Sequence, residues 1–511
     1  IGHLKAICLN FNLGEKYKAP VNLRFDDTNP EMEAKEYVDA IKNDIKWLGF
    51  KWDQECYASD YFKKLYDWAV YLIEKKRAYI DSQSSQEIAS QKGTPTKDGT
   101  PSSFRERPKE ESLKIFKDMF EGNVKPGEHV LRAKINMSSP NMVMRDPVIY
   151  RSMISNHHRT GDAWKIYPMY DWTHGESDYI EQVSHSLCTL EFEPHRELYD
   201  WFLDSIGPLK GIRPKQREFS RLNLSYTITS KRNLARLVEE KLVDGWDDPR
   251  MPTISGLRNR GYSPESLKMF ALTVGVSKRE SVIDVSLLEF CARAHLNEVA
   301  PRAMAVINPL KLTITNYEDK AFEEIKFEIN PQKKEIGARK IKFSKTIYIE
   351  RDDFKEAADD NFFRLKTGGE VRLKNAYIIK ATEVLKDDKG EVVEVLCEYD
   401  KKSKSGSNTP ESNRKVKGTI HWVSATYSVD AKINIYDRLF KVSEPGKEKD
   451  LLADINEDSL HVFEAKVEPH LQGSKEGEKF QFQRIGYFVR TANKKTLEFN
   501  KTVGLRDGWK K

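Results

Sequence analysis

The sequence predicts an α/β region followed by an all-β region. Before about Ile307, apolar strand patterns alternate with amphipathic helix patterns; after it, helix patterns nearly vanish and short strands follow one another. The chain has 511 residues, 39% of them hydrophobic, which supplies several cores and exceeds the length of one ordinary domain. We therefore expect about three to five structural units.

The first predicted element is an amphipathic helix in the opening segment IGHLKAICLNFN. Its apolar residues recur at helical spacing: Leu4, Ile7, Cys8 and Phe11. VNLRFDD then predicts a buried strand, and a second helix follows Pro30 and ends at Gly49. Four residues mark one face of that helix: Val38, Ile41, Ile45 and Leu48. Strands alternating with helices in this way indicate βα architecture.

The region after Ile307 is predicted to form β-barrels. Its strand patterns are KLTITNY, KTIYIER, EVRLKNAYIIKA, TIHWVSATYSV, KINIYDRLF, KFQFQR and TLEFNKTV. Two polar stretches, SQKGTPTKDGTPSSFRERPKEES and KKSKSGSNTPESNRKVK, predict exposed or mobile loops, and the second reads as a hairpin tip.

Composition excludes several classes of protein. No apolar run approaches the roughly 20 residues of a membrane helix, and no signal-peptide pattern precedes the first helix. The five cysteines form no CxxC pair and no Cys/His cluster at zinc spacing, so we expect no metal site and reduced thiols in a cytoplasm. The net charge of +6, with 85 lysines and arginines, permits a basic face for a polyanionic partner.

Two short segments carry the chemistry. Gly2-His3 stands immediately before the first predicted helix, where a residue without a side chain admits phosphates and a ring N–H faces developing negative charge. The alternative is that these two residues only cap the helix. In EFSRLNLSYTITSKRNLARLVEEKL, an apolar strand ends in Thr229-Ser230-Lys231-Arg232 before a helix. The Lys231 ammonium is able to contact a departing pyrophosphate, and the Ser230 hydroxyl is able to hold its oxygens. The alternative is that this segment is only a solvated helix start with incidental positive charge.

In this order, about two hundred residues apart, the two segments resemble the paired signatures of class I aminoacyl-tRNA synthetases. Ile1-Gly2-His3 resembles the end of the His-Ile-Gly-His element, and Ile228 to Arg232 resemble the Lys-Met-Ser-Lys-Ser element. Longer segments are similar to the glutaminyl-tRNA synthetases: NLRFDDTNP, IKNDIKWLGF, LRAKI, VMRDPVIYR, IYPMYDWTH, HSLCTLEF, EFSRLNL, GWDDPRMPTISGLRNRGYSPESL, NEVAPRAMAVINP, VRLKNAY, VKGTIHWVSA, YDRLF and KTVGLRDGW. The resemblance covers nearly the whole chain.

The resemblance implies a domain plan. A Rossmann-type catalytic domain over 1–60 and 170–221 is split by an inserted acceptor-end-binding domain over 61–169. A helical connector follows over 222–305, where Ser263-Pro264-Glu265 predicts a capped helix start. Two anticodon-binding β-barrels, proximal and distal, occupy 306–511. The family also carries a Pro-rich strand and loop before the first signature, so we expect this chain to be part of a longer protein. By itself, the chain as given is expected to bind tRNA but to activate glutamine poorly.

The resemblance also implies a glutamine site. Its residues are Asp26, Tyr170, His174, Cys188 and Gln216. Asp26 would accept a hydrogen bond from an ammonium or amide N–H of the substrate. The alternative role, capping of the following helix, suits Asp27 better. For Tyr170 and His174, the alternative is that they only pack in the core. Related glutamate-specific enzymes present an arginine at the place of Cys188, and a small neutral thiol there suits an uncharged amide.

ATP with Mg²⁺, L-glutamine and tRNA(Gln) are the implied substrates. The implied ATP contacts are Gly2, His3, Arg221, Ser186, Thr189, Ser230 and Lys231, with His3, Ser230 and Lys231 taking part in catalysis. The alternative is a purely structural role for three of these residues: Arg221, Ser186 and Thr189. The product would be an ester of the terminal adenosine 2′-hydroxyl, formed through glutaminyl-adenylate.

The barrels are expected to read the anticodon through Arg339, Arg414, Gln481 and Arg484, although charges on a barrel are often only solvated. Pro194 stands where the family has an aspartate that contacts the acceptor stem. The alternatives are a glutamyl-tRNA synthetase and a non-catalytic tRNA-binding relative. We expect a cytoplasmic monomer without membrane attachment.

Overall fold

The computed structural model describes residues 1–31, 35–359 and 361–506, which divide into two compact units. The N-terminal unit comprises residues 2–222 and 275–281; the C-terminal unit comprises residue 1, residues 223–274 and the chain from 282 onward. The domain limits expected from the sequence stay predictions. The end of KTVGLRDGW, from Asp507, lies outside the described residues, as do the three residues before the second helix.

The N-terminal unit alternates helices and strands. Its helices, numbered in chain order, are α1 Gly2–Tyr17, α2 Lys35–Trp47, α3 Phe62–Glu74, α4 Ser85–Gln91, α5 Lys109–Glu121, α6 Tyr170–Ile180 and α7 Arg196–Ser205. Its strands are β1 Leu23–Phe25, β2 Glu55–Tyr57, β3 Ala78–Asp81, β4 Val130–Ala133, β5 Val148–Ser152, β6 Ile166–Pro168, β7 His185–Thr189 and β8 Lys215–Phe219.

Parallel and antiparallel strands are segregated in this unit. The pairs β1–β2 and β7–β8 are parallel, as βα units require, whereas β3 to β6 form an antiparallel sheet of four strands. A shared apolar core joins this sheet to α3, α5, α6 and α7. Its largest fully buried rings include Trp172, Phe116 and Phe202. The α/β character predicted for this part is confirmed.

The two helices predicted first are present. In α1, Leu4 and Cys8 are buried, and the Phe11 ring stacks on Phe50 at 4.7 Å. In α2, Ile45 is buried, but Ile41 is 39% exposed, so the predicted apolar face is only partly covered. The VNLRFDD strand is half-buried rather than buried, which corrects that expectation.

The C-terminal unit begins with helices and continues in strands. Its helices are α8 Lys231–Glu239, α9 Ile254–Arg260, α10 Pro264–Val274, α11 Ser286–Val299 and α12 Pro410–Asn413. Its strands are β9 Asn223–Leu224, β10 Val282–Ile283, β11 Arg302–Ala303, β12 Ala305–Val306, β13 Pro309–Ile314, β14 Phe322–Glu328, β15 Ala338–Ser344, β16 Thr346–Glu350, β17 Phe354–Lys355, β18 Leu365–Lys366, β19 Glu370–Leu373, β20 Ile378–Lys386, β21 Val392–Tyr399, β22 Thr419–Ile420, β23 Val423–Ser424, β24 Val429–Tyr436, β25 Leu460–Val467, β26 Lys479–Phe482, β27 Gly486–Arg490 and β28 Glu498–Gly504.

Two barrel-like sheets of seven strands dominate this unit, which confirms the predicted β-rich region. One has the strand order β22-β19-β20-β21-β13-β16-β23 and encloses a core that contains Trp422 and Phe343. The other has the order β11-β26-β27-β28-β24-β25-β12 and encloses Phe482, Phe488 and Phe499. Alternating side chains fill each interior, as small barrels require.

Several strand predictions need correction. EVRLKNAYIIKA forms two strands, β19 and β20, because Asn375 takes a left-handed φ of 59° and turns the chain. The predicted hairpin tip is wrong, since the flanking strands β21 and β22 are not neighbours in the sheet. That stretch instead contains α12, whose start Thr409 caps by accepting from the Ser412 N–H at 3.1 Å.

The connector helices follow their predicted signals more closely. Ser263 accepts from the Ser266 N–H at 3.2 Å at the start of α10, and Pro264 is its first residue, as expected. The strand expected to run to Ile228 is only the two-residue β9. The predicted helix is present as α8, but it begins at Lys231, so Lys231 and Arg232 belong to its first turn rather than to the loop before it. Among the described helices, none has both the length and the apolar content that crossing a membrane requires.

Candidate functional site

His174 connects two sets of predicted site residues in the N-terminal unit. On α6, the Tyr170 hydroxyl lies 3.3 Å from His174 Nδ1. The other ring nitrogen, Nε2, lies 2.9 Å from the Ser186 hydroxyl on β7 and 3.4 Å from Asp178 Oδ2. Residues four apart share a helix face, which aligns Tyr170, His174 and Asp178. A predicted glutamine contact and a predicted ATP contact therefore share one imidazole ring.

Asp26 is held by an arginine that the sequence analysis did not single out. Arg24 Nε lies 2.9 Å from Asp26 Oδ1, and Arg24 Nη1 lies 2.8 Å from Asp178 Oδ1 and 3.2 Å from Glu181 Oε1. Burial opposes the charge on Arg24, but these carboxylates outweigh it and raise its pKa. Asp26 is the most exposed of the three acids, at 29%. Its Oδ2 accepts no hydrogen bond from the described residues, so one oxygen is free for a ligand.

The sequence did contain a signal for Arg24. Arg24 and Asp26 are separated by one residue on the strand segment RFDD, and alternation places such residues on the same face. An arginine and a carboxylate on one face are able to pair. The partners from α6, Asp178 and Glu181, are distant in sequence and carry no comparable local signal.

The predicted glutamine-binding residues act on one another electrostatically. Burial raises the pKa of the Tyr170 hydroxyl, and the nearby Asp26, Cys188 and Asp178 raise it further. Tyr170 therefore keeps its proton and is able to donate a hydrogen bond. The structure brings Asp26, Tyr170, His174 and Cys188 into one neighbourhood.

Cys188 lies on β7, opposite Glu218 on β8. Its thiol approaches the Arg217 carbonyl oxygen at 3.8 Å. Burial, followed by Glu218 and Asp178, raises the pKa of Cys188 to about 12, so the side chain is a neutral thiol near pH 7. This state suits an uncharged ligand group and does not suit a nucleophile.

Gln216 has its amide nitrogen engaged by the protein. The Nε2 group donates to the Phe192 carbonyl oxygen at 2.9 Å and to Glu218 Oε1 at 3.0 Å. The side chain is buried, and Arg196 Nε also donates to Glu218 Oε1, at 2.9 Å. Within the described residues, Gln216 thus fixes the strand pair beneath Cys188 and offers a ligand only its remaining oxygen.

The first turn of α1 contains the predicted signature residues. Gly2 is the first residue of this 16-residue helix, and His3 is exposed in its first turn. The N-terminal N–H groups of a helix and its dipole favour an anion at that place. Lys5, which the sequence analysis missed, is buried and donates to the Ser220 carbonyl oxygen at 2.7 Å. This contact fixes α1 to the segment that follows β8.

Two further predicted ATP contacts are joined through Glu191. The Thr189 hydroxyl donates to Glu191 Oε1 at 3.0 Å, and Arg221 Nη1 lies 3.0 Å from Glu191 Oε2. Arg221 remains 58% exposed in its side chain, so the pair is a surface contact that a phosphate is able to displace.

The second signature belongs to the C-terminal unit. Ser230 precedes α8, and its carbonyl oxygen accepts from the Leu234 N–H at 2.9 Å. Its hydroxyl makes no capping hydrogen bond, and both Ser230 and Lys231 are exposed. Ile228 and Leu234 anchor the two sides of this loop in an apolar cluster. The loop therefore presents a hydroxyl and an ammonium at a helix N-terminus, which fits an oxyanion.

The three arginines predicted to read the anticodon are all paired with carboxylates. Arg339 Nε lies 2.9 Å from Glu468 Oε1, and Arg484 makes a two-point contact with Asp353 at 2.6 and 2.9 Å. Arg414 pairs with Glu370. The remaining member, Gln481 on β26, makes no side-chain hydrogen bond with a described residue. Such pairing orients each guanidinium. Arg339 Nη1 also donates to the Glu328 carbonyl oxygen, and its Nη2 is buried without a hydrogen-bond partner within the described residues.

One group of side chains approaches the spacing of metal ligands: Asp27, His157 and His158. Asp27 accepts from the Ser59 N–H at 2.8 Å and from its hydroxyl at 2.6 Å, so its carboxylate fixes the turn Ala58–Tyr61. His157 Nδ1 accepts from two backbone N–H groups, and Nε2 lies 2.7 Å from the Asp27 carbonyl oxygen. Nε2 therefore carries the proton, which leaves His157 no lone pair for a metal.

Known families match most of the chain. Residues 1–298 match the catalytic domain described as "tRNA synthetases class I (E and Q)". Residues 300–400 and 419–491 match two anticodon-binding domains of the same description. The signature loops, the α6 network, Arg339 and Arg484 lie within these matched ranges, whereas Arg414 lies between the two anticodon-binding matches.

Curated relatives are similar over the full length. A "Glutamine--tRNA ligase" of Vibrio vulnificus (strain YJ016) is 52% identical over 515 residues, covering 100% of this chain and 92% of the relative. One from Nitrosomonas europaea is 52% identical over 517 residues, covering 100% and 93%. One from Rhodopirellula baltica is 50% identical over 516 residues, covering 100% and 85%.

Proposed function

Because this chain belongs to the class I tRNA synthetases of the glutamate and glutamine type, we infer that it is an ATP-dependent glutamine–tRNA ligase. It joins L-glutamine to the terminal adenosine of tRNA(Gln). The observation that carries this conclusion is the identity of about half of all positions, over the whole chain, to relatives of that name. The family resemblance expected from the sequence is confirmed, and a glutamyl-tRNA synthetase is the less supported alternative.

The first step forms glutaminyl-adenylate. The glutamine carboxylate attacks the α-phosphorus of ATP, the bond to the β-phosphate oxygen breaks, and pyrophosphate leaves. We assign the stabilisation of its negative charge to Lys231 and Ser230, which stand at the start of α8. Gly2 and His3, with Arg221, Thr189 and Ser186, are assigned to ATP contacts. No general base is needed, because the carboxylate is already ionised near pH 7.

The second step transfers the glutaminyl group to the 2′-hydroxyl of the terminal adenosine and releases AMP. Positioning of the hydroxyl against the activated carbonyl and stabilisation of the developing negative charge accelerate such a reaction. Mg²⁺ is expected to accompany the triphosphate. The side chains assigned to ATP are cations and hydrogen-bond donors, which fit the phosphate oxygens rather than the metal.

Selection of glutamine rests on neutral groups. Tyr170, which keeps its proton, donates to the side-chain carbonyl oxygen of glutamine, and the neutral Cys188 thiol borders the same amide. Asp26 Oδ2 accepts from the substrate ammonium. A glutamate carboxylate beside these groups would have no cation of its own and would face the field of Asp178. Leaving it unpaired costs several kcal/mol, so selectivity of about a thousandfold is reachable.

The barrels are assigned to the anticodon. Arg339, Arg414, Gln481 and Arg484 would donate to splayed-out bases, the usual mode of sequence-specific RNA recognition. The carboxylate partners of the three arginines hold the guanidinium planes in place before the tRNA binds. We further expect the enzyme to act in the cytoplasm as a monomer.

Pyrophosphate exchange tests the proposal. Exchange of labelled pyrophosphate into ATP is expected with glutamine and tRNA(Gln), and to be much weaker with glutamate or without the tRNA. Exchange that prefers glutamate would replace the proposal with the glutamyl alternative. Absence of exchange would favour the non-catalytic alternative if the protein binds tRNA(Gln) and exchange is also absent from a chain that carries the strand and loop expected before Ile1.

A further inference from the structure

A basic cavity in the C-terminal unit has no part in the proposed function. It has a volume of about 260 Å³, which is well above the roughly 10–15 Å³ that one water requires. Its walls come from the end of α9, from α11, from the segment after β24 and from β28. The charged groups that line it are Arg260, Arg293, Arg438, Lys501, Arg506, Glu289 and Asp437.

The positive charge of this cavity is only partly neutralised. Glu289 Oε1 lies 2.6 Å from Arg438 Nη1, and its other oxygen lies 4.0 Å from Arg293. Arg260 donates from Nη2 to the Tyr436 carbonyl oxygen at 3.1 Å, and its buried Nε has no hydrogen-bond partner within the described residues. Cations held in this way, away from bulk water, are stabilised by an anion.

Lys501 is the clearest unneutralised charge. It forms no hydrogen bond or ion pair with any residue in the described ranges. Burial lowers its pKa, and the neighbouring positive charge of Arg260 lowers it further. Glu289 and Asp437 line the same cavity, but neither is paired with Lys501. An ammonium beside a guanidinium, with no carboxylate in contact with it, is unfavourable unless a ligand supplies the negative charge.

A β-bulge turns two consecutive residues of β28 toward the cavity. Tyr487 pairs with Val503 and Phe488 pairs with Lys501, so Thr502 is an extra residue in the ladder. Both Lys501 and Thr502 therefore line the cavity, although consecutive strand residues normally face opposite sides. Thr502 is 1% exposed, and its hydroxyl has no partner within the described part of the chain.

From this convergence of unneutralised cations and an unpaired hydroxyl, we propose that the cavity binds a phosphate group. Arginine forks and an ammonium match the several acceptor oxygens of a phosphate better than the two of a carboxylate. The group is either a free phosphate ion or a backbone phosphate of bound tRNA. None of the residues assigned above to ATP, glutamine or the anticodon lines this cavity.

The test titrates the full chain with sodium phosphate against sodium chloride at matched ionic strength and follows the unfolding temperature. A ligand that binds only the folded state raises this temperature in a saturable way. Lys501→Met is expected to raise the dissociation constant for phosphate by about tenfold or more, since it removes a charged donor. The matched control Lys494→Met, an exposed lysine before β28, should keep the wild-type response.

Two measurements guard against a folding defect. In phosphate-free chloride buffer, Lys501→Met should be at least as stable as the wild type, because it removes repulsion with Arg260. Thr502→Val keeps the charge and nearly the shape, and should weaken phosphate binding severalfold. These titrations require no aminoacylation, so their outcome is independent of the proposed function.

Binding of tRNA(Gln) as a function of salt identifies the source of the phosphate. If the group is a backbone phosphate, Lys501→Met weakens tRNA binding, and free phosphate competes with the tRNA. The plot of the logarithm of the tRNA binding constant against the logarithm of the salt concentration then becomes less steep by about 0.7–0.9. For a free ion, tRNA binding is unchanged while the phosphate titration depends on Lys501. If neither the phosphate response nor tRNA binding depends on Lys501 and Thr502, the proposal is overturned.

Discussion

Cys188 lies directly opposite Glu218 in the parallel pair of β7 and β8, and Arg196 neutralises that glutamate through Nε at 2.9 Å. The thiol thus has a paired carboxylate on the neighbouring strand and no cation of its own. Because Glu218 is already paired with Arg196, a cation introduced at position 188 would remain available to a substrate carboxylate. The residue at position 188 is therefore expected to decide between recognition of an amide and recognition of a carboxylate.

Cys188→Arg is expected to lower glutamine use steeply and to raise glutamate use relative to it. The introduced guanidinium is able to pair with a substrate carboxylate, but an amide cannot neutralise it. Competition between the two amino acids on the same tRNA, measured as the ratio of kcat/KM values, is the readout.

The control for that substitution is Cys188→Ala, which removes the thiol without adding charge and should largely keep the preference for glutamine. A ratio that Cys188→Arg leaves unmoved in a folded protein would place Cys188 outside the amino acid pocket.

Lys231→Ala should slow adenylate formation by about two to four orders of magnitude while leaving tRNA affinity nearly unchanged. The ammonium is assigned to the departing pyrophosphate, whose charge develops only as the reaction proceeds. Single-turnover pyrophosphate release measures the effect. Lys449→Ala, another exposed lysine of the same unit, serves as the control, and an equal loss in both variants would remove Lys231 from the mechanism.

Arg24→Met is expected to destabilise the protein by about 3–5 kcal/mol, because it leaves the buried Asp178 and Glu181 without their cation. Arg213→Met breaks contacts with Asp200 and Asp204 at the surface and should cost less than about 1 kcal/mol. Urea unfolding of both variants gives the comparison. Similar small losses in the two would show that Arg24 does not hold the carboxylates together.

Glu468 makes stability depend on pH. Burial raises its pKa to about 7, although Arg339 opposes this, so the folded protein binds a proton more tightly than the unfolded chain does. The resulting stabilisation is complete below the ordinary glutamate pKa and is lost as the pH rises through about 7. Glu468→Gln should flatten the difference in unfolding midpoint between pH 5 and pH 8. An unchanged pH profile would contradict the raised pKa.

The sequence predicted the architecture best where one element carries its own signal. The start of α10 follows from Ser263 and Pro264, and the helical spacing of Leu4 and Cys8 gives α1. The hairpin expected between β21 and β22 failed, because which strands pair in a barrel depends on contacts that are remote in sequence. The left-handed turn at Asn375 was likewise hidden within an apparently continuous strand.

The candidate site shows the same division. Family resemblance supplied Asp26, Tyr170, His174 and Cys188, and the structure brings these four together. It did not supply the ion pairs that orient them, since Arg24 meets Asp178 across more than a hundred and fifty intervening positions. Nor did any local pattern indicate that Gln216 donates its amide to Phe192 and Glu218.

Aminoacylation of tRNA(Gln) with labelled glutamine, in competition with unlabelled glutamate, tests the central claim most directly. The account predicts that glutamine is esterified to tRNA(Gln), that an excess of glutamate of about a hundredfold barely reduces the yield, and that tRNA(Glu) is a poor acceptor. Efficient charging of tRNA(Glu) with glutamate by the same protein, or no preference between the two amino acids, would contradict it.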